Sequence, residues 1–118
     1  MNFELQQNML YHDSCECLDG SFSRLVESDF LGMDDQYAEI FILKCTLCGR
    51  LWLKYLWEFE AVAASGRWYM GLIRTETAQQ LTADQSRSFL ESSDWYYCCG
   101  SHFLGQIFKS SGQIFLIP

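Results

Sequence analysis

Two pairs of cysteines are the residues in this sequence whose types and spacing point most directly to chemistry. Cys45 and Cys48 form a CxxC motif that is followed by glycine, in the segment CTLCGRLW. Cys15 and Cys17 form a CxC motif in the segment SCECLDG, with 27 residues between the two motifs. Four thiolates complete the tetrahedral shell that Zn²⁺ prefers and leave no position for a water molecule. The spacing therefore predicts one structural zinc ion per chain, held by these four cysteines.

Other ligand sets and other uses of the thiols are open at this point. His12 could replace one of the N-terminal cysteines, and Cys98, Cys99 or His102 could complete the site instead. The thiols could also be free and buried without a metal, or the CxxC motif could be a redox site. A redox CxxC motif normally lies at a strand-to-helix junction of a βαβ unit, whereas this one leads into a strand-like segment.

The adjacent residues Cys98 and Cys99 need a separate interpretation. Neighbours in a strand point to opposite faces, so we expect one of them in the core and the other facing outward. Either thiol could act as a nucleophile with His102, but the chain has only two histidines and no third residue is indicated that would orient one. Motifs for phosphate binding, dinucleotide binding, a serine nucleophile elbow and a zinc protease are missing. A small cysteine-dependent enzyme therefore stays an alternative.

Acidic residues are concentrated in the first third of the chain. The formal net charge is -7, and residues 1–39 hold nine acidic residues against the single base Arg24. Such a surface disfavours nucleic acid and anionic lipid and favours a basic protein partner, although it could also be simply solvated. The residues predicted to contact a basic partner are Glu16, Asp19, Glu27, Asp29, Asp34 and Asp35.

The segments around the cysteines are typical of strands. Alternating apolar residues predict a long strand over residues 51–61 with one buried face, and Glu58 and Glu60 would lie together on a solvated face of it. Residues 38–45 predict the preceding strand, which places the CxxC motif in the turn between two antiparallel strands. Further strands are predicted over 67–74, 94–99, 105–109 and 112–118, the last two as a hairpin.

Two short helices complete the prediction. Thr82 and Gln85 match a capping box, so a helix is expected over residues 83–93, and a second is expected around residues 23–31. The predicted fold class is thus α+β, a β-rich domain with a central antiparallel sheet and a structural zinc knuckle. Residues 1–118 are expected to form one domain, in which the acidic segment 1–39 packs on the sheet of residues 40–118. No signal peptide or membrane span is apparent, so a reducing cytoplasm is expected.

The segment CTLCGRLW resembles the second knuckle of zinc-ribbon-type domains, and SCECLDG loosely resembles the first. This resemblance implies that Cys15, Cys17, Cys45 and Cys48 bind one zinc ion. The longer segment CTLCGRLWLKYLWEFEAVAASGRWYMGLI is similar to small bacterial proteins, some of which look like immunity proteins of toxin systems. That second resemblance implies an interaction module that binds and neutralises a basic toxin. A zinc ribbon that acts with nucleic acid or the transcription machinery is the alternative.

Overall fold

The computed structural model describes residues 14–117 and contains one six-stranded antiparallel sheet whose strand order follows the chain. The strands are β1 (Leu25–Met33), β2 (Glu39–Cys45), β3 (Leu51–Trp57), β4 (Arg67–Ile73), β5 (Tyr96–Cys99) and β6 (Phe108–Ser110). The α-helices are α1 (Thr75–Ala78) and α2 (Ser86–Ser92), and short 3-10 turns cover Glu16–Asp19, Ala83–Gln85 and Ser101–Phe103. The predicted α+β, β-rich class with a central antiparallel sheet is confirmed.

Both faces of the central strands are covered, which the one-sided pattern of β3 did not predict. On one face, Tyr55 and Tyr69 lie opposite each other in the sheet and pack with Leu90 of α2. On the other face, Trp52 of β3 is fully buried and packs with Cys15, Cys17, Cys45 and Cys48. The sheet therefore separates a larger core from a second, smaller core that contains these four cysteines.

The helix predicted around residues 23–31 is wrong, because this segment is the edge strand β1. Seven positions of β1 pair with β2, and the register shifts at Glu27/Asp29 and Phe30/Gly32. Most β1 side chains are exposed, so burial of an apolar face does not favour a helix here. The backbone hydrogen bonds to β2 determine the conformation instead.

Two other strand predictions were too long. β3 ends at Trp57, so Glu58 and Glu60 lie in the following loop and share no strand face. The predicted terminal hairpin is also wrong: Phe108–Ser110 pairs with β5, but residues 113–117 are not a strand.

Two arginines hold the chain after β6 in place of a hairpin. The Nη1 and Nη2 atoms of Arg67 donate to the carbonyls of Phe115 (3.0 Å) and Ile117 (2.6 Å). Arg87 Nη2 donates to the carbonyl of Ile114 at 2.6 Å. Charged side chains thus replace the strand–strand hydrogen bonds that a hairpin would supply.

The helix predicted after Thr82 is present. The backbone N–H of Thr82 donates to Gln85 Oε1 at 3.0 Å, a 3-10 turn follows, and α2 begins at Ser86. Leu90 of α2 is completely buried against the sheet. No helix within residues 14–117 has the length and apolar character needed to cross a membrane.

Gly100 allows β4 and β5 to approach closely where β5 ends. A Cβ at this position would lie 2.7 Å from Arg67 Cα and 2.8 Å from the Gly66 carbonyl oxygen, and its φ is +124°. We expect Gly100→Ala to lower the free energy of unfolding by about 2–3 kcal/mol, because both the backbone conformation and the contact are unfavourable. The matched control is Gly105→Ala, where φ is +74° but nothing lies within 4 Å. Denaturant unfolding of both variants checks this, and equal losses would contradict it.

Candidate metal centre

The CxxC motif forms the turn between β2 and β3, as predicted. Cys45 is the last residue of β2, and its N–H donates to the carbonyl of Arg50 at 2.9 Å. The N–H of Gly49 donates back to the carbonyl of Cys45 at 2.8 Å, and Gly49 has a φ of +82°, which side chains disfavour. The glycine after the second cysteine is therefore what lets the turn close and bring Cys48 beside Cys45.

The CxC motif lies in a 3-10 turn over one face of the sheet. The N–H of Leu18 donates to the carbonyl of Cys15 at 3.0 Å, and that of Gly20 donates to the carbonyl of Cys17 at 3.2 Å. The turn is anchored to the sheet by Tyr97, whose hydroxyl donates to the carbonyl of Leu18 at 2.7 Å. These bonds place both N-terminal cysteines above the CxxC turn.

Aromatic packing holds the same segment against the sheet. The ring of Phe22 lies edge-on to those of Trp52, Trp68 and Tyr97, at centroid distances of 5.3, 5.9 and 5.5 Å. Pairs in this geometry contribute about 0.5–1.5 kcal/mol each beyond the area they bury. The chain that follows the two N-terminal cysteines is thus held against the sheet at Leu18 and at Phe22.

The four predicted cysteines, Cys15, Cys17, Cys45 and Cys48, come together as one cysteine cluster. All four Sγ atoms lie within 4.8 Å of one another. The Sγ atoms of Cys15 and Cys45 are 3.6 Å apart, and those of Cys17 and Cys48 are 3.7 Å apart. In a tetrahedral four-sulfur site with metal–sulfur bonds of about 2.3 Å, the sulfurs lie about 3.8 Å apart. A disulfide would need about 2.05 Å, so the spacing fits one metal ion and no cross-link.

Burial closes the cysteine cluster to solvent. Cys17 and Cys45 are completely buried, and Cys15 and Cys48 are nearly so. Four sulfur ligands leave no open coordination position, and the walls of the site are aromatic and aliphatic side chains. A metal held here could link the N-terminal turn to the sheet, but it could not bind a substrate.

Among the four thiols, the site favours the deprotonated form of Cys48 in particular. Burial by itself raises the pKa of Cys48, but hydrogen bonds from the backbone and side chain of Arg50 and from Cys15 and Cys17 outweigh it and lower the pKa to about 7. For Cys17, burial dominates and raises the pKa. Cys15 has a raised pKa too: the N–H of Cys17 lowers it, but burial and the thiols of Cys48 and Cys45 outweigh that effect. Cys48 is therefore the thiol best prepared to lose its proton to a metal.

Trp52 was not predicted to take part in the site. Its indole Nε1 is the one buried side-chain nitrogen or oxygen among the described residues that has no hydrogen-bond partner. The same indole lowers the pKa of Cys17, so it lies close to that thiol and favours its anionic form. A buried unpartnered N–H is costly, and a metal-bound thiolate is a much better acceptor than a thiol. The residues present therefore fit a four-thiolate metal site.

We expect Trp52→Phe to weaken metal binding about tenfold, because it removes a donor to a ligand sulfur while keeping an aromatic ring. Competition with a chelator of known affinity measures this. The control is Trp68→Phe, which alters the same aromatic contacts around Phe22 on a half-buried ring. Equal affinities for the two variants would show that the indole N–H of Trp52 contributes nothing to metal binding.

Among the described residues, the other candidate ligands and nucleophiles, Cys98, Cys99 and His102, are not part of the cysteine cluster. Both Cys98 and Cys99 are buried, so the prediction that one of them faces outward is wrong; the cause is that both faces of the sheet are covered. Burial, followed by the charge of Cys99, raises the pKa of Cys98, which disfavours a nucleophilic thiolate. His102 lies in an exposed 3-10 turn, and burial and Arg67 lower its pKa. His12 lies outside the described residues.

Five of the six acidic residues predicted to contact a partner are exposed: Glu16, Asp19, Glu27, Asp29 and Asp35. Asp34 is the exception, because it is buried and its carboxylate is used internally. Its Oδ1 accepts hydrogen bonds from the N–H groups of Gln36 and Ala38, both at 2.9 Å, and its Oδ2 accepts one from the Tyr55 hydroxyl. Asp34 therefore builds the turn between β1 and β2 and is not available to a partner.

Comparison of the chain with protein-family models, curated proteins and solved structures finds no match. The similarity to immunity proteins thus has no support beyond the sequence segment quoted above.

Proposed function

We propose that this protein is a zinc-stabilised protein-interaction module that binds a basic partner protein. The observation that carries the proposal is the closed, buried cysteine cluster: its geometry suits a structural ion, so function is left to the protein surface. An immunity protein that neutralises a basic toxin is the most concrete form of this proposal.

Zinc is the metal that the donor set favours. Tetrahedral four-sulfur sites hold zinc or iron, and zinc is the usual ion of small cysteine knuckles. The ion would be held by Cys15, Cys17, Cys45 and Cys48, and it would supply folding free energy rather than catalysis.

The surface charge supports a basic protein as the partner. The chain carries a net charge of -7, and the exposed acids include Glu27 and Asp29 on β1, the first strand of the sheet. Complementary charge mainly speeds association and selects the partner, and salt weakens both effects. Nucleic acid and anionic lipid would be repelled by the same charge.

Capture on the immobilised full-length protein tests the proposal. The lysate comes from cells that encode this chain, is divided into a nuclease-treated and an untreated portion, and is applied at low and at high salt. We expect retention of a basic protein that is released by salt and that binds directly when purified. Relief of that protein's toxicity on co-expression would establish the immunity role. Loss of all retained material on nuclease treatment would instead indicate the nucleic-acid alternative.

A further inference from the structure

An acidic groove lies where β2 begins and β3 ends. This end of the strand pair is opposite to the end that carries the cysteine cluster. Its volume is about 950 Å³, and its walls come from the β1–β2 turn, the end of β3 and the loop after it. Four carboxylates line it: Asp35, Glu39, Glu58 and Glu60. No lysine or arginine among residues 14–117 does.

These carboxylates do not stabilise the part of the chain that the structure describes. All four are exposed, and none of them forms an ion pair or accepts a hydrogen bond from a residue within 14–117. This contrasts with the neighbouring Asp34, whose carboxylate accepts three hydrogen bonds. The groove therefore concentrates four carboxylates that form no ion pair with a described residue.

Apolar side chains are exposed in the same groove. Tyr37 is 79% exposed, Met33 is 50% exposed and Phe59 is 42% exposed. The ring of Phe59 stacks on that of Trp57, with an interplanar angle of 15°. Exposed apolar side chains that are grouped in one groove and bordered by charged groups are typical of an interaction surface.

The turn that carries Tyr37 is rigid and strained. Tyr37 has a φ of +65°, a conformation that a bulky side chain rarely adopts. It is imposed by Asp34, which binds the N–H groups of Gln36 and Ala38, and by Trp57, whose Nε1 donates to the Gln36 carbonyl at 2.9 Å. The backbone conformation that holds this aromatic ring in solvent at the rim of the groove therefore lowers the stability of the fold.

We propose that this acidic groove binds an arginine side chain in an extended segment of the basic partner. The proposal rests on the proposed function, since it names the point at which that partner docks. A planar guanidinium can stack on Tyr37 or Phe59 while it donates paired hydrogen bonds to a carboxylate such as Glu58 or Glu60. Lysine offers a charge but neither the planar stacking surface nor the paired donors, so arginine is the better fit.

A synthetic arginine–glycine repeat peptide is the probe for this site. We expect it to bind the metal-loaded protein more tightly than the matching lysine–glycine peptide and to perturb the indole resonance of Trp57. The double variant Glu58→Gln/Glu60→Gln should lose about tenfold in affinity. The matched control is Glu27→Gln/Asp29→Asn, which removes the same charge from β1 outside the groove and should lose much less.

Tyr37→Asn separates aromatic stacking from charge. Asparagine tolerates the left-handed conformation, so the variant should fold at least as well as the natural chain. We expect a loss in peptide affinity of about tenfold with net charge unchanged. Equal affinities for the arginine and lysine peptides, or equal losses in the groove and β1 variants, would overturn the groove proposal. A captured basic partner whose binding is weakened only by the β1 variant would overturn the groove proposal while the proposed function survives.

Discussion

Replacement of Cys45 by serine is expected to abolish cooperative folding of this protein. A structural zinc ion contributes about 10–16 kcal/mol in small cysteine sites, while a whole domain of this size is stable by about 5–15 kcal/mol. Cys45 is completely buried at the end of β2, and its loss leaves three sulfurs for a tetrahedral ion. The metal and the second core around Trp52 should be lost together.

Urea unfolding followed by tryptophan fluorescence, with metal content measured on the same samples, checks this result. Cys15→Ser should behave like Cys45→Ser, although the two residues are on different segments. The control is Cys99→Ala, a buried cysteine outside the cysteine cluster, which should keep the metal and lose about 1 kcal/mol. A Cys45→Ser variant that unfolds cooperatively at the natural urea midpoint would contradict the prediction.

Asp34→Ala is the second substitution with a large expected effect, a loss of about 3–5 kcal/mol in the free energy of unfolding. The change removes the acceptor for two backbone N–H groups and for the hydroxyl of Tyr55, which is completely buried. Those donors would be left without partners in the interior. Burial and the carboxylate of Asp34 also raise the pKa of Tyr55, so the hydroxyl stays protonated as the donor.

The adjacent residue supplies a matched control for Asp34. Asp35→Ala removes the same kind of side chain from an exposed position where it accepts no hydrogen bond from residues 14–117, so its effect on stability should stay within about 0.5 kcal/mol. Tyr55→Phe should cost about 1 kcal/mol, because it removes a single hydrogen bond. Equal stabilities of Asp34→Ala and Asp35→Ala in urea would show that the buried carboxylate is not needed. Asp34→Ala should also lower the affinity for the arginine–glycine peptide, because the turn that carries Tyr37 would lose the hydrogen bonds that hold it.

The predictable part of the fold is the part in which local pattern and tertiary packing agree. The strands around the CxxC motif and the helix after Thr82 were predicted, because alternation, a glycine turn and a capping box are local signals. β1 was not predicted, because an exposed edge strand carries no burial pattern and owes its conformation to β2. The strand predicted over residues 112–118 was wrong because Arg67, far away in the chain, determines where residues 115 and 117 lie.

The candidate site also has a part that could be predicted from the sequence and a part that could not. The four clustered cysteines were identified from their spacing, since a four-thiolate metal site requires that residue type. Trp52 was missed because the alternation in β3 placed it on the outer face, and its burial depends on the CxC turn above it. Asp34 was assigned to the surface because its burial depends on Tyr55, a partner 21 residues away. The acidic groove was missed because it joins two turns that no local pattern connects.

The most direct test of this account is the metal content of the native full-length protein, by elemental analysis and by mass spectrometry under non-denaturing conditions. The account predicts one zinc ion per chain, bound by four thiols that become reactive toward alkylating agents only after the zinc is chelated. A folded protein with no metal and the same four thiols buried would contradict it. One iron ion per chain in place of zinc would keep the cysteine cluster but refute its assignment as a zinc site.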